Sequence, residues 1–158
     1  MAVYSLRREQ FVARPIAEVF EFFSDARNLE AITPRWLSFR ILTPGPIGIH
    51  TGTLLDYRLS WHGLPIRWRT EIKDWNPPFG FTDVQLKGPY TLWRHTHTFT
   101  PREGGTLMED VVRYELPLGP LGDVAHAISV RRELQQVFDY RVKVIGELFA
   151  PPSGGIRR

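Results

Sequence analysis

The chain contains no cysteine among its 158 residues. Disulfides, thiolate metal sites and cysteine nucleophiles are thereby excluded, and the composition fits a reducing cytoplasm. No apolar run approaches the ~20 residues of a membrane-spanning helix. The opening stretch, MAVYSLRREQFVARP, lacks the apolar core of a secretory signal. A cytoplasmic location without stable membrane insertion is the expectation. Charge of one sign is scarce too, since twenty Lys and Arg against seventeen Asp and Glu leave only +3. The basic residues fall in scattered pairs (Arg7-Arg8, Arg67 with Arg69, Arg131-Arg132, Arg157-Arg158) and form no stripe interleaved with aromatics. No nucleic-acid partner is expected. There is no GxSxG elbow and no HExxH helix, and Gly45, Gly48 and Gly52 match neither a dinucleotide nor a phosphate loop. No cofactor is expected.

What is present is hydrophobic periodicity. A chain of this size can bury about 70% of its unfolded surface, which predicts one domain over residues 1–150. The final PPSGGIRR, residues 151–158, reads as a disordered tail. The spacing predicts a long helix from Asp123 to Phe149, with Val124, Ala127, Ile128, Leu134, Val137, Phe138, Ile145 and Leu148 on its apolar side. Arg131, Arg132, Glu133, Arg141, Lys143 and Glu147 fall mostly opposite. At about 1.5 Å per residue such a helix crosses a small domain, and its stripe needs a broad partner.

That partner is a set of strands. Residues 3–13 read as the first, and Pro15 opens a helix through Ser24 with Ile16, Val19, Phe20 and Phe23 inward. Ser24-Asp25 caps a second short helix, and Trp36 to Leu42 reads as a strand. From residue 53 the period drops to two: Leu55, Tyr57, Leu59 and Trp61 share one face, then Ile66, Trp68, Thr70 and Ile72. Further strands are expected at 79–86, 90–100 and 106–116. The fold class is α+β, a curved antiparallel sheet of about seven strands wrapped around the C-terminal helix, with room for a cavity between the two.

The stretch Gly88-Pro89-Tyr90-Thr91-Leu92-Trp93-Arg94-His95-Thr96-His97-Thr98-Phe99 carries the chemistry. If Trp93 and Phe99 point inward, His95 and His97 do so as well. Parity with Val112 and Tyr114 brings Asp110 inward, opposite either His95 or His97. Phe81, Asp83 and Gln85 join the same face, as does Tyr57. Buried polar groups left unsatisfied cost about 1–3 kcal/mol each, so this many imply mutual pairing, water or a ligand with oxygen functions. The expected ligand-facing set is Tyr57, Trp61, Trp68, Phe81, Asp83, Gln85, Trp93, His95, His97, Phe99, Asp110, Tyr114 and Phe138.

For His95, His97 and Asp110 three readings stand side by side: core histidines satisfied by Asp110 and a tyrosine, an acid–base group, or a metal site. The site as a whole is read without a metal. Trp36, with Pro34 and Arg35, forms either a pocket mouth or a packed hinge; His62 is a solvated turn tip; His126 faces the cavity mouth or solvent.

Taken together, Pro15-Ile16-Ala17-Glu18-Val19-Phe20-Glu21-Phe22-Phe23 with Asn28-Leu29-Glu30, then Trp75-Asn76-Pro77-Pro78, Gly88-Pro89-Tyr90 and the Trp93-x-His95-x-His97-x-Phe99 run resemble the START-like or SRPBCC superfamily. Asp110-Val111-Val112, Gly119-Pro120 and Phe138-Asp139-Tyr140-Arg141 agree with it, so the likeness spans Val3 to Phe149. The helix-grip fold of polyketide cyclases and birch-pollen-type allergens is what this resemblance implies. It also implies a deep apolar pocket for a lipid, polyketide or isoprenoid-like molecule. Relatives are labelled cyclase/dehydrase or named after an epimerase to which some are fused, and no catalytic residue set transfers. Three functions follow as expectations: a binder of a hydrophobic small molecule, a cyclase/dehydratase with pocket His and Asp as acid–base groups, and a lipid carrier that docks on membranes or a partner.

Overall fold

The computed structural model describes residues 2–150, so the tail expected at 151–158 lies outside the described residues. β1 (Tyr4–Val12) is followed by α1 (Ile16–Phe23) and α2 (Asn28–Ala31). Six strands come next: β2 (Arg40–Ile41), β3 (Leu54–Trp61), β4 (Leu64–Asn76), β5 (Gly80–Lys87), β6 (Leu92–Arg102) and β7 (Gly105–Glu115). α3 (Pro120–Ala125) and α4 (Arg131–Leu148) close the fold, joined by a π turn at His126–Val130. The strands form one antiparallel sheet in the order β1-β7-β6-β5-β4-β3-β2. This is the helix-grip arrangement, with the C-terminal helix held against a curved sheet. Register irregularities in β4, at Arg69/Thr70 and between Lys73 and Asn76, fit the curvature, because a bulge bends and twists its strand. Among the described residues no helix is long and apolar enough to cross a membrane.

Local rules account for most elements. Trp61 pairs with Leu64 around a two-residue turn, His62-Gly63, in which both residues have positive φ (49° and 78°). Such a turn matches the twist of a hairpin, and glycine adopts it without a Cβ penalty. α1 begins one residue later than the proline pattern suggested. Pro15 is the N-cap, in an extended conformation, and not the first helical residue. The strand expected over Trp36 to Leu42 is corrected. Pro34 leads into a 3₁₀ turn at Arg35–Leu37, Ser38 takes a left-handed φ of 47°, and only Arg40–Ile41 pair with β3. α2 has Arg27 at its N-cap, which makes no side-chain cap bond, while Asp25 Oδ1 accepts from the Arg27 backbone N–H at 3.0 Å just ahead of the helix.

The long helix departs from its expected face near its start. Val124, Ala127 and Ile128 are exposed, whereas His126 and Val130 are buried. A π turn carries extra backbone per revolution and rotates the residues before it relative to those after it. Beyond the turn the buried positions are Leu134, Phe138, Arg141 and Ile145, one helical stripe that includes an arginine.

Two apolar clusters fill the interior. One gathers Phe20 and Phe23 of α1 with Phe81, Phe99, Met108 and Ile145. The other gathers Leu6, Trp93, Val112, Tyr114, Leu134 and Phe138. Along β6, β7 and α4 the polar residues His95, His97, Asp110 and Arg141 lie in sequence between members of the two clusters. Backbone approach is close at the β5–β6 crossing, where a Cβ on Gly80 would run into the carbonyl oxygen of His97. Gly80→Ala is therefore expected to lower stability by about 1–3 kcal/mol, the usual cost of overpacking, read as a lower urea midpoint. An unchanged midpoint would show that β6 gives way there freely.

Candidate functional site

Between the sheet and the C-terminal helix lies a cavity of about 440 Å³. Its wall carries Tyr57, Leu59, Trp61, Ile66 and Trp68 from the β3–β4 hairpin, Tyr90 and Trp93 from β6 and its approach, and Leu134, Val137 and Phe138 from α4. Trp68 meets Trp93 edge-on at 5.1 Å between ring centroids, and Tyr90 tilts against Trp93 at 4.9 Å. At the rim stand Trp36, half exposed, and Leu118 and Leu121, whose side chains face solvent. Trp36 thus sits at the mouth. The hairpin tip is fastened to the helix start: Trp61 Nε1 donates to Glu133 Oε2 at 2.6 Å, and His62 Nε2 lies 2.6 Å from Glu133 Oε1. His62 is a latch partner and not merely a solvated turn residue.

The polar side chains of the wall are Thr33, Thr70, Asp83, His95, His97, Glu133 and Arg141, and Asp83, His95, His97 and Arg141 form one cluster. β5 and β6 supply Asp83, His95 and His97, and β7 supplies Asp110 behind them, because alternation points every second side chain of these paired strands inward. Asp110 is the Cα partner of His97, yet its shortest contact is diagonal, His95 Nε2 to Asp110 Oδ1 at 2.8 Å. His97 Nδ1 lies 3.3 Å from the same oxygen. Its Nε2 donates to Asp83 Oδ2 at 2.6 Å, and His95 Nδ1 is 3.5 Å from that oxygen. The two imidazoles lie against each other with centroids 3.7 Å apart, and Asp110 backs both from beneath.

Imidazoles this close cannot comfortably carry two charges. Burial, then the neighbouring His97 charge, push His95 below its ordinary pKa despite the aspartates. Burial works against the charge on His97 too, but hydrogen bonds to Asp110 and Asp83 outweigh it and hold His97 above its ordinary value. Burial would raise Asp110; the Arg141 charge and the bonds from His95 and His97 hold it well below the usual carboxylate range. Asp83 is lowered against its own burial by His95, His97 and Arg141. The surroundings thus disfavour the charged form of His95 and favour that of His97, beside two carboxylates and the Arg141 guanidinium.

The side chains whose metal-binding atoms converge are Asp83, His95 and His97, all within 4.8 Å of one another. Asp110 engages the other ring nitrogens, so the trio His95, His97 and Asp110 weighed from sequence is not the converging one. Hydrogen bonding within the cluster satisfies these groups without a cation.

Of the thirteen residues expected to face a ligand, Tyr57, Trp61, Trp68, Asp83, Trp93, His95, His97 and Phe138 line the cavity. The other five stand behind it. Asp110 lies beneath the histidines, and Phe81 and Phe99 pack against Phe20 under α1. Gln85 is tied to the backbone of Tyr90 by two hydrogen bonds. Tyr114 is hydrogen-bonded to His126 Nε2 at 2.7 Å. His126 itself is buried, stacked on Tyr4 at 3.5 Å. Burial and an Arg131 charge lower the pKa of His126. Arg141, Glu133 and Tyr90 are site residues that the sequence reading passed over. Arg141 did carry a signal, since it shares the helical spacing of Leu134, Phe138 and Ile145.

Comparison with known proteins places this geometry in context. The model of the family described as polyketide cyclase/dehydrase and lipid transport matches residues 4–144. No curated protein matches the sequence. Among solved structures, the chain is similar to TTHA0849 from Thermus thermophilus, with a TM-score of 0.72 at 19% identity, over 91% of this chain and 95% of that one. It is similar to major latex-like protein 151 from Panax ginseng, with a TM-score of 0.68 at 13% identity, over 94% and 99%. A nucleoside-diphosphate sugar epimerase from Corynebacterium glutamicum gives a TM-score of 0.65 at 22% identity over 90% of this chain but only 28% of the epimerase. At these identities the likenesses establish the fold.

The charge pattern has a measurable consequence. Asp110, depressed below its ordinary 3.8, contributes stability that is present above that pH and lost as pH falls through its lower folded-state value. His97, raised, contributes below its ordinary 6.5 and loses that as pH climbs through its folded value. His95, lowered, does the reverse, costing stability as pH falls below 6.5. Asp110→Asn leaves Arg141 and His97 poorly matched, and at pH 7 it is expected to cost about 3–5 kcal/mol in urea unfolding. The acid limb of its stability curve should also be flatter than that of the wild type. Wild-type stability in the variant would refute a charged cluster.

Proposed function

The chain belongs to the polyketide cyclase/dehydrase and lipid transport family, and from that premise we propose that it binds a hydrophobic small molecule of lipid, polyketide or isoprenoid type in the cavity under the C-terminal helix. One observation carries this reading. The hollow of about 440 Å³ has a largely apolar wall with one compact polar cluster, Asp83, His95, His97 and Arg141, besides Glu133 in its latch with Trp61 and His62. Sites for small molecules have this size and this division, apolar area supplying affinity and a few fixed polar groups supplying orientation. Tyr57, Trp61, Trp68, Trp93 and Phe138 form the apolar wall of the proposed site, and Asp83, His95 and His97 its orienting end. Asp110 positions the histidines from behind, while Phe81, Gln85, Phe99 and Tyr114 hold the wall in place.

A neutral fluorescent reporter, N-phenyl-1-naphthylamine, is expected to bind with enhanced emission. Val137→Trp, which fills the cavity from α4, should weaken that binding about tenfold or more, a loss of about 1.4 kcal/mol or more. The urea midpoint should stay near that of the wild type. Equal reporter binding by the filled variant would remove the cavity from consideration.

Acid–base chemistry is the second reading, and the opposed pKa directions of His95 and His97 favour it. Neighbouring groups whose environments drive their pKa values apart are suited to separate proton-donating and proton-accepting roles. In a cyclisation or dehydration, protonated His97 would donate to a departing or carbonyl oxygen, and neutral His95 would accept a proton. His95→Gln and His97→Gln are each expected to cut turnover by about 10²–10⁴-fold, the usual worth of general acid–base catalysis, with ligand affinity largely kept. Turnover that survives both substitutions would leave binding alone as the function.

A further inference from the structure

Most of the hydrogen-bonding capacity of Arg141 is unspent. Its side chain is 6% exposed and leaves α4 on the buried stripe. Both of its hydrogen bonds start from Nη2, at 3.3 Å to Asp110 Oδ1 and 3.3 Å to His97 Nδ1. Charge-assisted bonds normally run at about 2.7–2.9 Å, so these are loose. The contact with His97 is moreover a bond only when Nδ1 carries no proton. Nε is buried and has no partner among the described residues. A guanidinium offers five donors in a rigid planar fork, and a buried donor without an acceptor costs free energy. The ring of Phe23 covers one side, 5.2 Å from Cζ. Arg141 lines the main cavity and also a second hollow of about 50 Å³ that shares Asp83 and His97 with it.

An occupant of the cavity therefore meets, beside apolar walls, a guanidinium held only by loose bonds from Nη2. Resting on the proposed binding function, we infer that the ligand is an apolar carboxylic acid whose carboxylate pairs with Arg141 while its apolar body lies along Trp68, Trp93 and Phe138. Bidentate carboxylate recognition is what the guanidinium fork provides and a lysine would not. The class includes fatty acids and aryl carboxylic acids; neutral alcohols and esters offer the fork no matching charge.

Charge balance adds a second consequence. Asp83 on β5, His97 on β6, Asp110 on β7 and Arg141 on α4 surround His95, so two carboxylates already face the guanidinium and the imidazoles. Tyr57 on β3, pushed up by burial, stays neutral. A third carboxylate upsets this balance. His95, whose charged form burial disfavours and whose Nδ1 lies 3.5 Å from Asp83, is the group placed to restore it by taking up a proton. A carboxylate bound beside Arg141 favours the charged imidazole, so binding of the acid is coupled to proton uptake at His95.

The test displaces N-phenyl-1-naphthylamine from the wild-type protein with dodecanoate, 1-dodecanol and methyl dodecanoate. Dodecanoate is expected to bind at least about tenfold more tightly than either neutral molecule. That preference should fall to within about twofold in Arg141→Gln and Arg141→Met, and only partly in Arg141→Lys. Calorimetry in two buffers of different ionisation enthalpy should register proton uptake with dodecanoate and none with dodecanol. If the three molecules displace the reporter equally from the wild type, the carboxylate assignment is overturned while the apolar-ligand reading stands. If neither the reporter nor any of the three binds, the underlying reading fails instead. Dodecanoate binding without proton uptake would overturn the assignment too. The wild-type comparison decides the matter even if an Arg141 variant does not fold.

Discussion

A carboxylate sealed inside a protein has to be answered by positive charge, and Asp110 is answered from two directions. His95 and His97 reach it from the adjacent strand, and Arg141 comes down from the helix. An unpaired ion in this position would be costly enough to unfold a protein of ordinary stability. The spacing between sheet and helix is therefore constrained at that level. Above and below it, apolar clusters can be repacked with side chains of similar volume. At the belt, each member is fixed by its partners, and a shift of any element leaves a charge stranded.

That constraint explains where the hollow lies. Ile145 on one side of the belt is fully packed against the aromatic cluster under α1, whereas Leu134, Val137 and Phe138 on the other side face the cavity. The helix is held at the belt, at the packed end beyond it, and by Glu133 at the hairpin tip, while the sheet curves away beneath. Space remains between these fixed points. Its wall is apolar over most of its extent, apart from Glu133 at the hairpin latch and the level where the other charges gather. On the proposed reading, ligand orientation and fold integrity draw on the same residues, since the charges that fix the helix on the sheet also give the cavity a polar end.

Much of this was readable in the residues, and the failures have physical causes. Alternation along β6 and β7 placed His95, His97 and Asp110 on the inner face, since a strand has only two faces. It did not select the partner: Asp110 pairs by Cα with His97 but makes its shorter bond to His95, because side chains lean along the strand. Arg141 was assigned outward on charge alone, although its spacing from Phe138 and Ile145 put it inward. The exposed run of Val124, Ala127 and Ile128 was misjudged because the π turn at His126–Val130 breaks the 3.6-residue period. The strand expected over Trp36 to Leu42 gave way to a short helical turn at the cavity mouth, set by Pro34 before it and the left-handed Ser38 after it.

The sequence by itself determined the antiparallel sheet, the terminal helix and the set of polar side chains that must enter the core. These depend on periodicity and on the burial of apolar surface, both of which are local in the chain. Tertiary structure alone decided which charge answers which, that the pKa of His95 is pushed down while that of His97 is pushed up, and that one nitrogen of Arg141 is left without a partner among the described residues. Those outcomes depend on distances of 2.6–3.5 Å between residues from different elements. No pattern of spacing along a single chain sets distances of that kind.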